Sequence, residues 1–274
     1  MKNLIIAFIG GGNIADSIIG GLISSGVPTT NIIAADPDIE RQQSISERHG
    51  IEVFEKNHDA IKKAGVIVFA VKPEKMPVAI KEIFENTIVK NKIILSVVAG
   101  IKIKSIEDWV KESFSIIRIM PNTPALVRSG VTALYANKNT SDKEKAIAEK
   151  IMSSVGKTVW LDKEDQMDSV TALSGSGPAY FFYFMELMEN HAIEMGLKKE
   201  DAHLLTIETA LGAAKMALLS NAELKELRLQ VTSPAGTTER AINTFVKGKL
   251  HKLLRDAMDA AKKRSVELSE SFKD

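Results

Sequence analysis

Two short stretches of this 274-residue sequence carry residue types able to do chemistry. The first is Gly10-Gly11-Gly12-Asn13-Ile14-Ala15, which reads as Gly10-x-Gly12-x-x-Ala15. It follows the apolar run Leu4-Ile5-Ile6-Ala7-Phe8-Ile9 and opens a segment with Ile14, Ile18, Ile19, Leu22 and Ile23 at helical spacing. In a strand, tight turn and helix of this kind, the first glycine permits the turn and the second lets backbone approach a pyrophosphate. The small third residue lets the helix pack on the strand, and the helix N-terminus faces the phosphates. A second apolar strand, Ile32-Ile33-Ala34-Ala35, ends at Asp36. A carboxylate for an adenosine ribose is expected there, about 20 residues past the loop. The second stretch is Thr232-Ser233-Pro234-Ala235-Gly236-Thr237-Thr238, leading into Glu239-Arg240-Ala241-Ile242. Threonines, a serine and free N–H groups at a helix start make a carboxylate receptor.

Other candidates are weaker. Val71-Lys72-Pro73 follows an apolar strand, with Pro73 suited to a helix start and Lys72 able to reach phosphate or ribose. Ser96-Val97-Val98-Ala99-Gly100 ends the next strand in small residues, as a flat nicotinamide lying on backbone would require. Arg118-Ile119-Met120-Pro121-Asn122-Thr123-Pro124 offers Asn122 on a proline-stiffened loop, and Leu173 to Tyr180 forms a further glycine-rich turn with Pro178 placed to start a helix. Glu164 and Asp168 fall on one helical face, and Lys215 reads as a solvated helix flank. The five histidines show no metal-ligand spacing, so no metal is expected. With no cysteine there is no disulfide, thiolate site or cysteine nucleophile.

The elements that must position these residues form an α/β pattern. A continuous apolar strand at Val66 to Ala70 and further strands at Ile93 to Val98 and Ser115 to Met120 alternate with helices, which predicts a Rossmann-type, doubly wound, mostly parallel sheet buried on both faces. Val131 to Tyr135 and Lys157 to Leu161 flank a charged helix from about Asp142 to Val155 and complete it. From Asp162 strand-like runs vanish and apolar residues recur at helical intervals, so residues 1–161 are read as the dinucleotide-binding domain and 162–274 as an all-helical one. Phe181, Phe182, Phe184, Met185, Leu187 and Met188 crowd one helix, which fits burial in an oligomer or in its own core. Lys262 to Asp274 reads as a solvated helix end. With 36 basic and 35 acidic residues the net charge is +1, giving no field for nucleic acid or an anionic membrane. The starting apolar run is too short for a signal peptide or a span, so a cytoplasmic protein is expected.

Five motifs in order, Phe8 to Asn13, Ala70 to Pro73, Met120 to Pro124, Ser174 to Tyr180 and Ser233 to Thr238, make the chain resemble the pyrroline-5-carboxylate reductase family nearly end to end. The resemblance implies proline biosynthesis by hydride transfer from a nicotinamide, usually NADPH with NADH as a second donor, to the C=N carbon of 1-pyrroline-5-carboxylate, giving L-proline. It implies cofactor contacts from Ile9, Gly10, Gly11, Gly12, Asn13 and Ile14, from Ala35, Asp36 and Asn57, from Ala70, Val71, Lys72 and Pro73, and from Val97, Val98 and Ala99. It implies substrate contacts from Glu164, Ser233, Gly236, Thr237 and Thr238, and the Thr238 hydroxyl, able to donate and accept, is expected at the ring nitrogen as the catalytic group. It also implies a homodimer through the C-terminal helical domain, open to larger homo-oligomers. Two departures stand out: the family loop usually reads Ser-Pro-Gly-Gly where Ala235 stands here, and an upstream Asp-Asn pair is replaced by Leu229-Gln230. Two rivals are another NAD(P)-dependent reductase of the hydroxyacid-dehydrogenase type, and a non-enzymatic dinucleotide-sensing module.

Overall fold

The computed structural model describes residues 4–87 and 89–272. They form two compact units: one runs to Ser176 and takes in the chain again from Ala261, and the other is Gly177–Ala260.

The first unit is built on one sheet of eight strands: β1 (Ile6–Ile9), β2 (Ile32–Ala35), β3 (Glu52–Phe54), β4 (Val66–Phe69), β5 (Ile93–Ser96), β6 (Ser115–Met120), β7 (Gly130–Ala136) and β8 (Gly156–Trp160). Their order is β3-β2-β1-β4-β5-β6-β7-β8. Every pairing is parallel except β6 with β7. β1 pairs with β2 on one side and β4 on the other, so the winding reverses there and opens a crevice beyond the strand ends.

Alternation along β1 splits the core between two faces. Ile6 and Phe8 join Ala15, Ile18, Ile19 and Leu22 of the helix Asn13–Ser24, while Ala7 and Ile9 join Met76, Ala79, Ile80 and Ile83 of the helix Met76–Asn86. Phe8 and Ile18 are fully buried, and each contributes about 1.5–3 kcal/mol through removal from water. The helix Ile39–His49 is started by the Asp38 carboxylate, which accepts from Glu40 and Arg41 N–H at 3.0 and 3.3 Å, and ended by Gly50 at φ 64°.

Strands end at β8, yet the first unit continues to Ser176 because the short helix Gln166–Val170 and the π-helical turn Thr171–Gly175 pack within it. Asp168 is buried there and accepts a 2.7 Å hydrogen bond from Ser265 Oγ, on the last turns of the helix Leu250–Glu270. Ser269 is also buried, and the Phe272 carbonyl accepts from Ser105 Oγ at 3.3 Å. The chain end is therefore more than the solvated helix expected from its charge, and residues 273 and 274 of that expected segment lie outside the described residues.

The second unit is helical throughout: Gly177–Glu194, Lys199–Leu219, Leu224–Gln230, Thr237–Lys247 and the first turns of Leu250–Glu270. Few of its side chains are buried, although the Phe184 and Phe245 rings meet at 6.2 Å.

The Asp168 to Ser265 bond closes a loop of 97 residues, so it carries stability that no local element supplies. Asp168→Ala is expected to lower unfolding free energy by about 1–3 kcal/mol, the usual range for a buried polar group left without its partner. Denaturant titration checks this, and an unchanged midpoint would remove the bond from the account.

Candidate functional site

At the reversal of winding, the turn after β1 is held on three sides. Gly10 N–H donates to the Ala35 carbonyl at 2.8 Å, and Ala70 N–H donates to the Ile9 carbonyl at 2.8 Å. Gly10 has φ 96°, and a Cβ there would lie 2.8 Å from the Ala70 carbonyl oxygen, so only glycine fits. Gly12 differs: a Cβ there would meet no protein atom within 4 Å. Gly12 is the N-cap of the helix Asn13–Ser24 with no side-chain cap, and among the described residues the N–H groups of Asn13, Ile14 and Ala15 have no partner. Bare backbone, helix dipole and open approach together suit a pyrophosphate.

Asp36 is fixed at the rim of this turn and is 5% exposed. Its Oδ2 accepts Gly11 N–H at 2.7 Å, its Oδ1 accepts Asp38 N–H at 3.0 Å, and its main-chain carbonyl accepts Gln42 Nε2 at 2.8 Å. Arg41 Nη1 stands 4.0 Å from Oδ2, with the guanidinium about half exposed. A diol can donate to this carboxylate, whereas a 2′-phosphate is repelled by it and attracted by Arg41.

The other expected cofactor residues lie on the loops of the same sheet. Ile9 and Ala35 are buried at strand ends, leaving main chain as their available surface. Lys72, exposed, caps the turn Pro73–Lys75 ahead of the helix Met76–Asn86. Val97 N–H donates to the Phe69 carbonyl at 3.0 Å, Val98 is buried, and Ala99 is exposed. Asn57 Nδ2 donates to Glu82 Oε2, and the same carboxylate's Oε1 meets His58 Nδ1 at 2.7 Å, so Asn57 is held with its side-chain oxygen unbonded among the described residues.

Glu164 lies after β8, and its Oε1 accepts from Ile103 N–H at 2.8 Å and Arg118 Nη1 at 2.9 Å. It thus caps the helix Ile103–Val110 and neutralises an arginine that is 5% exposed inside β6, while Oε2 has no hydrogen bond among the described residues. The signal for Arg118 was a charge within the apolar strand Ser115-Ile-Ile-Arg-Ile-Met, which must find a partner. Asn122 is structural: its Nδ2 donates to the Ser174 carbonyl at 3.1 Å and its Oδ1 accepts Val131 N–H at 2.9 Å.

In the helical unit, Ser233 to Gly236 form a tight turn closed by Gly236 N–H donating to the Ser233 carbonyl at 3.0 Å. Gly236 is the N-cap of the helix Thr237–Lys247, again without a side-chain cap. Thr237 and Thr238 are exposed, and among the described residues neither their hydroxyls nor the N–H groups of Thr237, Thr238 and Glu239 have a hydrogen-bond partner. Ala235 has φ 62°, a left-handed conformation that costs a non-glycine residue roughly 1–2 kcal/mol. Its N–H donates to Glu239 Oε2 at 2.9 Å. The sequence signal for Glu239 is its place three residues after an N-cap, where a glutamate is a recognised partner for the N–H groups just before a helix.

A doubly wound sheet with a glycine turn at its reversal, an uncapped helix start and an acid closing the second strand defines a dinucleotide-binding protein. Residues 5–100 match the family described as NADP oxidoreductase, coenzyme F420-dependent, and residues 164–268 match pyrroline-5-carboxylate reductase dimerisation. A pyrroline-5-carboxylate reductase of Pseudomonas aeruginosa is 46% identical over 97% of this chain and 97% of its own length. The solved structure of a pyrroline-5-carboxylate reductase from Coxiella burnetii shares 40% identity at a TM-score of 0.93, covering 97% of this chain and 99% of that one. The Plasmodium falciparum pyrroline carboxylate reductase, solved with NADP bound, shares 26% identity at a TM-score of 0.87, covering 98% and 99%. The chain belongs to the pyrroline-5-carboxylate reductase family.

The position of Asp36 generates a prediction. Asp36→Ser should raise the NADPH to NADH ratio of kcat/KM roughly tenfold, equivalent to about 1.4 kcal/mol of removed repulsion. Steady-state kinetics with both cofactors measures it, and an unchanged ratio would mean that Asp36 does not face the ribose.

Proposed function

We propose that this chain reduces the C=N bond of 1-pyrroline-5-carboxylate to L-proline with NADPH as hydride donor and NADH as a second donor. What carries the reading is the Ser233 to Thr238 turn, which presents unpaired N–H groups and two free hydroxyls at an uncapped helix start within a chain of this family. That group suits a carboxylate beside an imine nitrogen.

A bound reduced nicotinamide supplies hydride to the C=N carbon. The chain's own residues hold and orient. Thr237 and Thr238 N–H, with the positive end of the helix dipole, hold the substrate carboxylate, while the N–H of Gly236 closes the turn that aims them. Thr238 Oγ1 both donates and accepts, so it serves the ring nitrogen as imine and as amine. Ser233 supplies the carbonyl that fixes the turn, and Glu164 takes part in substrate binding through its unbonded Oε2. A protonated imine is already electrophilic, so alignment and one hydrogen bond are asked of the protein and no strong base is needed. The glycine turn, Asp36 and the loops at Asn57, Ala70 to Pro73 and Val97 to Ala99 hold the cofactor.

Residues 1–161 act as the dinucleotide-binding domain and 162–274 as the substrate and dimerisation domain of a cytoplasmic homo-oligomer. Phe181, Phe182, Leu204, Leu205, Leu253 and Leu254 are all more than half exposed in the helical unit, which is the pattern of a surface meant for a second copy. Among the described residues Lys199–Leu219 alone is long and apolar enough to cross a membrane. Glu208 and Lys215 near its middle and end would be costly in hydrocarbon, and subunit contact accounts for its apolar faces. A hydroxyacid-dehydrogenase chemistry would require a lysine on the first long helix, and Gly177–Glu194 has none.

Thr238→Ala should lower kcat/KM for the imine roughly 10- to 150-fold, the loss of one hydrogen bond to a charged group, about 1.5–3 kcal/mol, with NADPH affinity intact. Absorbance of reduced cofactor with pyrroline-5-carboxylate reads this; wild-type kcat/KM, or lost NADPH affinity, would refute the assignment. A Phe182→Asp, Leu204→Asp variant should sediment as monomer where the natural chain sediments as dimer or larger, and an unchanged mass would move the contact elsewhere.

A further inference from the structure

The turn from Ser233 to Gly236 has Pro234 at its second position and Ala235 at φ 62° in its third, the arrangement of a type II turn whose third position favours glycine. Alanine there persists only if neighbouring contacts over-determine it. We infer that Glu239 is the positioning residue of this loop: its carboxylate holds the Ala235 N–H and keeps the turn in the form that aims the free N–H groups of Thr237 and Thr238. The inference rests on the reading of this loop as the receptor for the substrate carboxylate.

The contacts leave few other candidates for the task. The Ala235 side chain is exposed, so no packing holds it in place. The turn has two restraints near the strained residue, Gly236 N–H to the Ser233 carbonyl at 3.0 Å and Ala235 N–H to Glu239 Oε2 at 2.9 Å. The first would survive in many relaxed turns, whereas the second requires the Ala235 N–H to point toward the helix start. A side chain at Gly236 would crowd the turn, because a Cβ there would lie 3.0 Å from the Ser233 carbonyl oxygen. Glu239 is in the first turn of the helix Thr237–Lys247, where the dipole favours its charge, and among the described residues it forms no ion pair that would draw it away. A carboxylate accepting from a backbone N–H is also the stronger kind of hydrogen bond.

A positioning role and a plain helix-stabilising role make different demands. A dipole effect needs the charge, so glutamine cannot replace it; a strut needs only an acceptor oxygen, so glutamine can. A strut is also needed less when the residue it restrains is glycine.

The test uses the full chain with pyrroline-5-carboxylate and NADPH. Glu239→Ala should raise KM for the imine about fivefold to tenfold, the scale of one lost exposed charge-assisted bond, with kcat within about twofold and KM for NADPH unchanged. Glu239→Gln should stay within about twofold of the natural chain, and in an Ala235→Gly background Glu239→Ala should change KM by less than about twofold. Hydrogen exchange of the 231–240 segment, measured without substrate, should quicken in Glu239→Ala and in neither of those two variants. A glutamine variant as impaired as the alanine one, or a full KM rise in the glycine background, overturns the proposal. Coupled exchange in a chain that does not turn over the imine would refute the activity and leave the strut; normal turnover with unchanged exchange would refute the strut alone.

Discussion

The structure depends on covering β1 on both faces and both edges. A strand with parallel neighbours on either side has no solvent side, so every residue from Ile6 to Ile9 is apolar and buried, and helices must lie above and below it. That same enclosure brings the end of β1 against the ends of β2 and β4, with bonds from Gly10 to Ala35 and from Ala70 to Ile9. The glycine turn is thus squeezed from the protein side at Gly10 and bare on the other at Gly12. Packing and ligand recognition are two consequences of one close approach.

Much of this was legible. The unbroken apolar runs at β1, β4 and β5 cannot be amphipathic surface elements, and Asp38 and Gly50 announce the limits of the helix between β2 and β3. The glycine turn and the end of β2 at Asp36 could be placed in the fold because each position is decided within one strand, turn and strand. Four things were not legible, and each is a long-range or conformational fact. Glu164 finds Arg118 across 46 residues, Asp168 finds Ser265 across 97, and the charged chain end returns to the sheet-bearing unit through two serines four apart. The left-handed Ala235 violates the rule that a sequence reader applies to alanine, and its N–H is bonded to Glu239.

The two units meet the burial requirement differently. The first closes its core with its own chain, as its sheet and two-sided clusters show. In the helical unit Phe181 is 71% exposed and Leu219 is 84% exposed, far beyond what scattered surface apolar residues need. Burial of this surface against a second copy, as proposed above, makes stability rise with protomer concentration. The match of residues 164–268 to a dimerisation family agrees with that physical requirement.

The candidate site repeats one device in two places. Both the Asn13–Ser24 and Thr237–Lys247 helices start at a glycine N-cap with no side-chain cap, leaving N–H groups unpaired at the positive end of the helix. Each has a carboxylate bonded to the turn just before it, Asp36 on Gly11 and Glu239 on Ala235. A glycine N-cap is a weaker helix end than a serine or aspartate cap by only about 0.2–0.5 kcal/mol. Keeping glycine at both is understandable if the unpaired donors are wanted for anions from outside the chain. The adjacent carboxylates then do for the turns what a side-chain cap would have done for the helix: they fix the geometry, but from a position that leaves the first N–H groups free.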